Sequence, residues 1–233
     1  VIDAAPDAVV LPADAGQIGP LLEICAEAGI AVVPFGGGTS VVGGIAPIRG
    51  DHDRVISLDL VNLRGCDIDP VSRTARLGAG LRGPEAEKLL GAEGFTLGHF
   101  PQSFEYATIG GFAATRSAGQ SSSGYGRFDS MVSSVRLIAP AAELSTLDTP
   151  HTAIGPALRE MVIGSEGIFG VIPAVDVRIR PAPAMRRYEA WIAEDFRSGN
   201  EIMRDLAQAG LLPTIARVSD EAETRVSLAS AVP

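Results

Sequence analysis

The chain has 233 residues, enough for one large domain, or one domain and part of a second, with a core that needs neither disulfides nor metal. Its net charge of −9, from 19 basic and 28 acidic residues with no basic cluster, excludes a protein that tracks nucleic-acid phosphates. No apolar run approaches the roughly 18 residues of a membrane span, and Val1–Pro6 lacks the basic and apolar regions of a secretory signal. The chain begins at Val1 rather than Met, so an upstream segment is allowed for. Cys25 and Cys66 are too few for a disulfide framework or a zinc site and read as reduced thiols of a cytoplasmic protein. The 27 glycines exceed the roughly 7% usual in proteins, which calls for many positive-φ positions or close backbone approaches.

In chain order, Val9–Leu11 is a short apolar run ended by Pro12. Asp14 opens a helix with Gln17 as its capping-box partner; Ile18, Leu21, Leu22 and Cys25 follow at helical spacing, and Gly29 closes it. Pro20 suits a helix interior poorly, so the helix is allowed to start nearer Gly19. Ile30–Val33 is a buried strand running into a glycine loop, and Val55–Leu58 is the next strand. Leu63–Asp67 and Thr74–Gly78 form a hairpin about Asp69-Pro70, and Gly83-Pro84 begins a helix that reaches Ala92. Short strands are expected at Phe95–Leu97 and Val132–Ala139, short helices at Thr108–Ala114 and Ala157–Val162, and a strand-like run over Phe169–Ile179. Pro181-Ala-Pro183 marks a boundary. Beyond it a strand at Tyr188–Ile192, a helix capped by Ser198 with Glu201 and facing the core through Ile202 and Leu206, and a strand at Thr214–Val218 read as half of a small α+β domain.

Three segments carry chemistry. In Val32–Ser40 a buried strand runs directly into Gly36, Gly37 and Gly38, then Thr39 and Ser40. Successive N–H groups unshielded by Cβ atoms can form an anion nest, with the hydroxyls as further donors. No Gly-Lys-Ser/Thr follows, so this is not a Walker A loop, and taken alone it reads equally as a tight strand connection. In His99–Gly119 polar and small residues interleave; Gly110-Gly111 permits a close backbone approach, and Ala113, Ala114 and Ala118 make a thin wall on which a flat ring could rest. Gly164–Ile172 is a turn that delivers a strand whose backbone could meet a ligand edge to edge.

In this order and spacing the three segments resemble the FAD-binding domain of the vanillyl-alcohol oxidase / p-cresol methylhydroxylase superfamily and, within it, the alkyldihydroxyacetonephosphate synthases. The features that carry the resemblance are Pro34–Ser40, Gly98-His99 with Pro101–Glu105, Thr115–Gly119, Tyr125-Gly126 and Gly164–Gly167, and it covers about residues 5–183. The resemblance implies an α+β fold: a two-subdomain FAD-binding domain over residues 1–183, then the beginning of an α+β cap over 184–233. It implies a pyrophosphate site at Pro34, Phe35, Gly36, Gly37, Gly38, Thr39 and Ser40. It implies further cofactor contacts from Gln102, Ser103, Phe104, Glu105, Tyr106, Ala107 and Thr108, from Thr115, Arg116, Ser117 and Ala118, and from Glu166, Gly167, Ile168, Phe169, Gly170, Val171 and Ile172. Superfamily members with a histidyl–flavin link carry His after the glycines; Thr39 stands here, so FAD is expected to be held without a covalent bond.

Of the three histidines, His52 and His151 sit in loops, and His99 stands beside the cofactor segment as a candidate base or as a structural His bonded to a loop carbonyl. No His and carboxylate stand at metal-ligand spacing, so no metal is expected. The resemblance implies that the substrate-binding Arg, the catalytic Tyr and a His-rich stretch of the synthases fall beyond Pro233, so catalytic roles stay unassigned. The resemblance implies an enzyme that exchanges acyl for alkyl on dihydroxyacetone phosphate at flavin N5. The alternatives are an FAD-linked oxidoreductase of a 2-hydroxy acid and a flavin-binding module without activity. The partner is a small phosphorylated or 2-hydroxy-acid substrate; the reading leaves room for peripheral membrane contact and a homodimer.

Overall fold

The computed structural model describes residues 5–149 and 153–230; His151 lies outside them. Two sheets of opposite character organise the chain. The first subdomain is a parallel sheet of order β1-β3-β2, formed by β1 (Ala8–Val10), β2 (Ile30–Phe35) and β3 (Arg54–Asp59), and helix α1 (Ile18–Glu27) lies between its first two strands in sequence. Ile18 and Leu22 of α1 share a core with Leu58 and Leu60. Asp14 caps a 3-10 turn ahead of α1 by accepting from the Gly16 N–H, and Gln17 reaches back to the Ala13 N–H rather than to that of Asp14. Pro20 falls in the first turn of α1, where its missing N–H has no helical partner to lose. Gly29 adopts φ 63° after the helix and turns the chain into β2.

The second subdomain is antiparallel. β4 (Cys66–Asp69) and β5 (Thr74–Gly78) form the expected hairpin, with Asp69 Oδ1 accepting from the N–H groups of Val71 and Ser72 in the turn. Helix α2 (Gly83–Ala92) follows, its Glu85 carboxylate accepting from the Arg82 N–H, and β6 (Phe95–Thr96) leads to α3 (Ile109–Ala114). Short helices α4 (Ser122–Tyr125) and α5 (Phe128–Met131) precede β7 (Val132–Ile138) and β8 (Glu143–Ser145). Helix α6 (Leu158–Val162) then leads to β9 (Ala174–Arg178) and β10 (Arg180–Pro181). The sheet order is β4-β5-β9-β7-β8, and β10 pairs separately with β6. Leu77, Val135, Val175 and Val177 of this sheet bury their side chains with Ile109 and Phe112 of α3 and with Phe128. The strand-like run expected over Phe169–Ile179 resolves into a bridge at Val171 opposite Ile138 and the strand β9, with Ile172 and Pro173 between them, where Pro173 has no N–H to give to a ladder.

Ala79, Ile138 and Val171 of the second subdomain join the core of the first, so the two pack as one body along a seam. The C-terminal expectation is corrected. Among the described residues, 188–192 and 214–218 form no strand; Tyr188, Trp191 and Ile192 are exposed, and a strand without a neighbour to bond has little to hold it extended. The helix between them is present as α7 (Phe196–Gln208), but Asp195, not Ser198, caps it, by accepting from the Ser198 N–H. Ile202 is exposed and Leu206 half-buried, so neither reaches a core. Helix α8 (Glu221–Ser230) closes the described chain. Among the described residues no helix is long and apolar enough to cross a membrane.

Leu77 is fully buried at the centre of the antiparallel sheet. Replacing it with Ala should cost about 2–5 kcal/mol of unfolding free energy, read from urea denaturation. A loss below about 1 kcal/mol would mean that this sheet is not the stabilising core.

Candidate functional site

A cleft of about 350 Å³ opens along the seam between the subdomains. Its walls come from the C-terminal end of β2, from the segment around α3, and from the turn that follows α6. The carboxyl end of parallel strands is where open α/β sheets place ligands.

The first loop lines the cleft throughout: Pro34, Phe35, Gly36, Gly37, Gly38, Thr39 and Ser40 all contribute. Among the described residues, the N–H groups from Gly36 to Ser40 donate to no other group. A run of unpaired donors on a loop without Cβ atoms is an anion cradle. Gly37 has a second duty. A Cβ on it would lie 2.1 Å from the Tyr106 carbonyl oxygen and 2.7 Å from Ala107 Cα, so the loop lies backbone against backbone on the second segment. Gly36 meets Thr108 in the same way, with a Cβ 2.5 Å from its hydroxyl oxygen. Bulk at Gly37 would therefore part the two walls before it met any ligand.

The other expected site residues divide. In the second segment Ser103, Ala107 and Thr108 line the cleft, whereas Gln102, Phe104, Glu105 and Tyr106 lie outside its wall. Thr115 and Ser117 line it; Arg116 and Ala118 do not. In the third segment Glu166, Gly167, Gly170 and Ile172 line it, and Ile168, Phe169 and Val171 do not. The reason is geometric: successive side chains of an extended or turning backbone point to different sides, and only some can face one cleft.

Wall residues that sequence reasoning left out are Val41, Val42, Gly44, Ile45, Leu60 and Phe112, whereas Gly110, Gly111 and Ala114, singled out for a close approach and a thin wall, do line the cleft. Phe112 stood within that same segment. Val41–Ile45 carried no signal beyond following the glycines, and Leu60 lies at the end of β3, which only pairing with β2 brings alongside.

Among the described residues Glu166 is the sole charged residue of the wall, and no Lys, Arg, His, Cys or Tyr belongs to it. An anion here would be held by N–H groups and hydroxyls rather than by cations. Thr108 caps α3 by accepting from the Gly111 N–H, and the Thr115 hydroxyl donates to the Gly111 carbonyl, which fixes both side chains at the cleft.

His99 stands behind this wall. It is 1% exposed and packs edge-on to Phe112 at 4.7 Å and against Phe128 at 5.3 Å. Its Nε2 lies 2.9 Å from the Ser117 hydroxyl, not against a loop carbonyl, and its Nδ1 has no hydrogen-bond partner. Burial pushes its pKa down to about 4, so the ring is neutral at pH 7, and it touches a reacting molecule only through Ser117. His52 is exposed, with Nδ1 3.2 Å from the Gly29 carbonyl oxygen.

The buried neutral His99 sets a pH dependence. As pH falls through the ordinary value of 6.5 the unfolded chain takes up a proton that the folded chain accepts only near 4. Stability contributed above pH 6.5 should thus fall between about 6.5 and 4, by at most on the order of 3 kcal/mol. Denaturation midpoints across this range should fall less for His99→Gln than for the unmodified chain; equal slopes would place the loss elsewhere.

A family model described as FAD binding domain matches residues 6–148. The chain is 36% identical to an alkyldihydroxyacetonephosphate synthase of Trypanosoma brucei brucei over 99% of its own length and 38% of that protein. It is 32% identical to an uncharacterised FAD-linked oxidoreductase of Escherichia coli (strain K12), over 92% of this chain and 44% of that one. A solved alkyldihydroxyacetonephosphate synthase superposes with a TM-score of 0.91 at 30% identity, covering 98% of this chain and 42% of the other. The chain thus spans well under half the length of these relatives. A glycine cradle at the end of a parallel strand, an α+β fold split about a cleft, and a family match across the first loop and α3 agree: the chain belongs to the FAD binding domain family, within the p-cresol methylhydroxylase type of flavoproteins, and its cofactor is FAD.

Proposed function

We propose that this chain holds FAD without a covalent bond and that the protein acts as an alkyldihydroxyacetonephosphate synthase, exchanging an acyl for an alkyl group on dihydroxyacetone phosphate. The observation that carries the cofactor reading is the set of N–H groups from Gly36 to Ser40, unpaired among the described residues, on a loop that lines the cleft. The non-covalent reading rests on the wall, which offers no His, Cys or Tyr to link to the ring, and on Thr39 at the position after the glycines. Bound FAD supplies the electrophilic ring that the exchange requires. The chain's own residues supply the rest: Gly36–Ser40 hold the pyrophosphate, and Thr108, Thr115 and Ser117 present hydroxyls along the cleft. The domain reading is 1–183 for FAD and 184–233 for the beginning of a cap over the ring.

The synthase reading rests on the trypanosome relative and on the superposition with the solved synthase. The Escherichia coli relative, an FAD-linked oxidoreductase, favours oxidation as a second reading, with a 2-hydroxy acid as the substrate proposed for it. Both take the protein as cytoplasmic, which the free thiols of Cys25 and Cys66 support, with peripheral membrane contact and a homodimer as further parts of the proposal.

Three experiments test this. Gly111 lines the cleft, and a Cβ on it would meet only the Thr108 hydroxyl oxygen, at 3.4 Å. Gly111→Leu should fill the cleft and weaken FAD binding about tenfold or more while far-UV circular dichroism stays unchanged; unweakened binding would put the flavin elsewhere. Acid precipitation of the flavin-loaded protein should release the yellow colour to the supernatant, and a yellow pellet would contradict the non-covalent reading. The same preparation is then given acyl dihydroxyacetone phosphate with a labelled fatty alcohol, or a 2-hydroxy acid under anaerobic conditions. Label in the ether product supports the synthase; bleaching of the flavin by the hydroxy acid supports the oxidoreductase.

A further inference from the structure

Arg116 sits at φ 49°, a left-handed conformation that usually goes to glycine. It occupies the position after the C-cap of α3 in a Schellman arrangement: its N–H reaches the Ala113 carbonyl, and the Ser117 N–H reaches the Phe112 carbonyl at 3.0 Å. Glycine would serve that backbone better, so the side chain must account for the arginine.

That side chain turns away from the cleft. Its Nη1 donates to Asp129 at 3.0 Å, and its Nη2 donates to the Glu160 carbonyl at 2.7 Å and pairs with the Glu160 carboxylate at 3.0 Å. Its stem lies across Gly164, where a Cβ would come within 2.8 Å of Arg116 Cγ and Nε. One guanidinium therefore ties the end of α3 to α5 and to α6, directly over the start of the 164–167 turn. Beneath it the backbone is sewn the same way: the Gly164 N–H donates to the Ala113 carbonyl and the Glu166 N–H to the Ala114 carbonyl, both at 3.0 Å. The stitched segments supply two walls of the cleft, through Ala114, Thr115 and Ser117 on one side and Glu166 and Gly167 on the other.

We infer that Arg116 is a positioning residue for the flavin site, a clamp that sets the spacing of those two walls without touching the cofactor. The inference rests on the FAD reading of the cleft. A planar five-donor fork can hold a carboxylate and a carbonyl at fixed angles, and a point charge on a flexible stem cannot.

The test uses Arg116→Gly, which relaxes the backbone and removes the clamp, and Arg116→Lys, which keeps the charge and loses the fork. Apoprotein of each full chain is titrated with FAD by fluorescence quenching, and amide exchange is followed in the absence of FAD. Arg116→Gly should raise the FAD Kd about tenfold or more with an unchanged or higher thermal midpoint, and Arg116→Lys should recover only part of the loss. The Gly164 and Glu166 amides should exchange faster in Arg116→Gly, while those of β5 and β9 keep the rate of the unmodified chain. Unchanged FAD affinity or unchanged exchange at Gly164 and Glu166 would overturn the clamp. If the unmodified chain binds no FAD at all, the flavin reading itself falls and the inference with it.

Discussion

The cleft depends on backbone lying against backbone along the seam between the subdomains. The glycine loop after β2 rests on the Tyr106–Ala107 peptide through Gly37. Farther along the same seam Gly80 approaches Leu60 so closely that a Cβ would lie 2.0 Å from its carbonyl oxygen. Side chains at these places would collide with the facing backbone and push the two walls apart. Close packing leaves no slack to absorb such a shift. Much of the chain's glycine content is thus spent on assembly, and the loop that cradles an anion is the same loop that closes the seam.

That geometry also explains how an acidic chain accepts a cofactor bearing two phosphates. Among the described residues the wall holds no cationic side chain, and the only charge on it is the Glu166 carboxylate. In the proposed site attraction would come from the N–H dipoles of Gly36–Ser40, which lose no side-chain entropy when they engage. Donors rigidly placed on a loop read the shape of a pyrophosphate, whereas mobile lysines would bind many anions.

Behind the wall, the polar groups support rather than contact. His99 lies between two phenylalanines and reaches the cleft only through the Ser117 hydroxyl. Its burial keeps it uncharged, so the hydroxyl in front of it sees a neutral partner across the physiological range. A charged ring in that place would add a cation to a wall that otherwise has none.

The sequence by itself determined the local structure and the chemistry of each segment. The Gly83-Pro84 start of α2, the hairpin about Asp69 and the three glycines after β2 rest on neighbours within a few residues, whose interactions do not wait for tertiary contacts, whereas the capping box expected for α1 did not form and Gln17 bonds Ala13 instead. The parts that failed were the ones that need a distant partner. Residues 188–192 and 214–218 have strand-like composition but form no strand among the described residues, since pairing is a property of two segments. The direction of a side chain at a turn was equally out of reach: Ser117 faces the cleft and its neighbour Arg116 faces Asp129 because the chain turns at Arg116, which is itself left-handed. Leu60 and Val41–Ile45 became wall residues only when β3 paired with β2 and the two subdomains met. Residue type is written in the chain, but which surface a residue faces is decided by what packs against it.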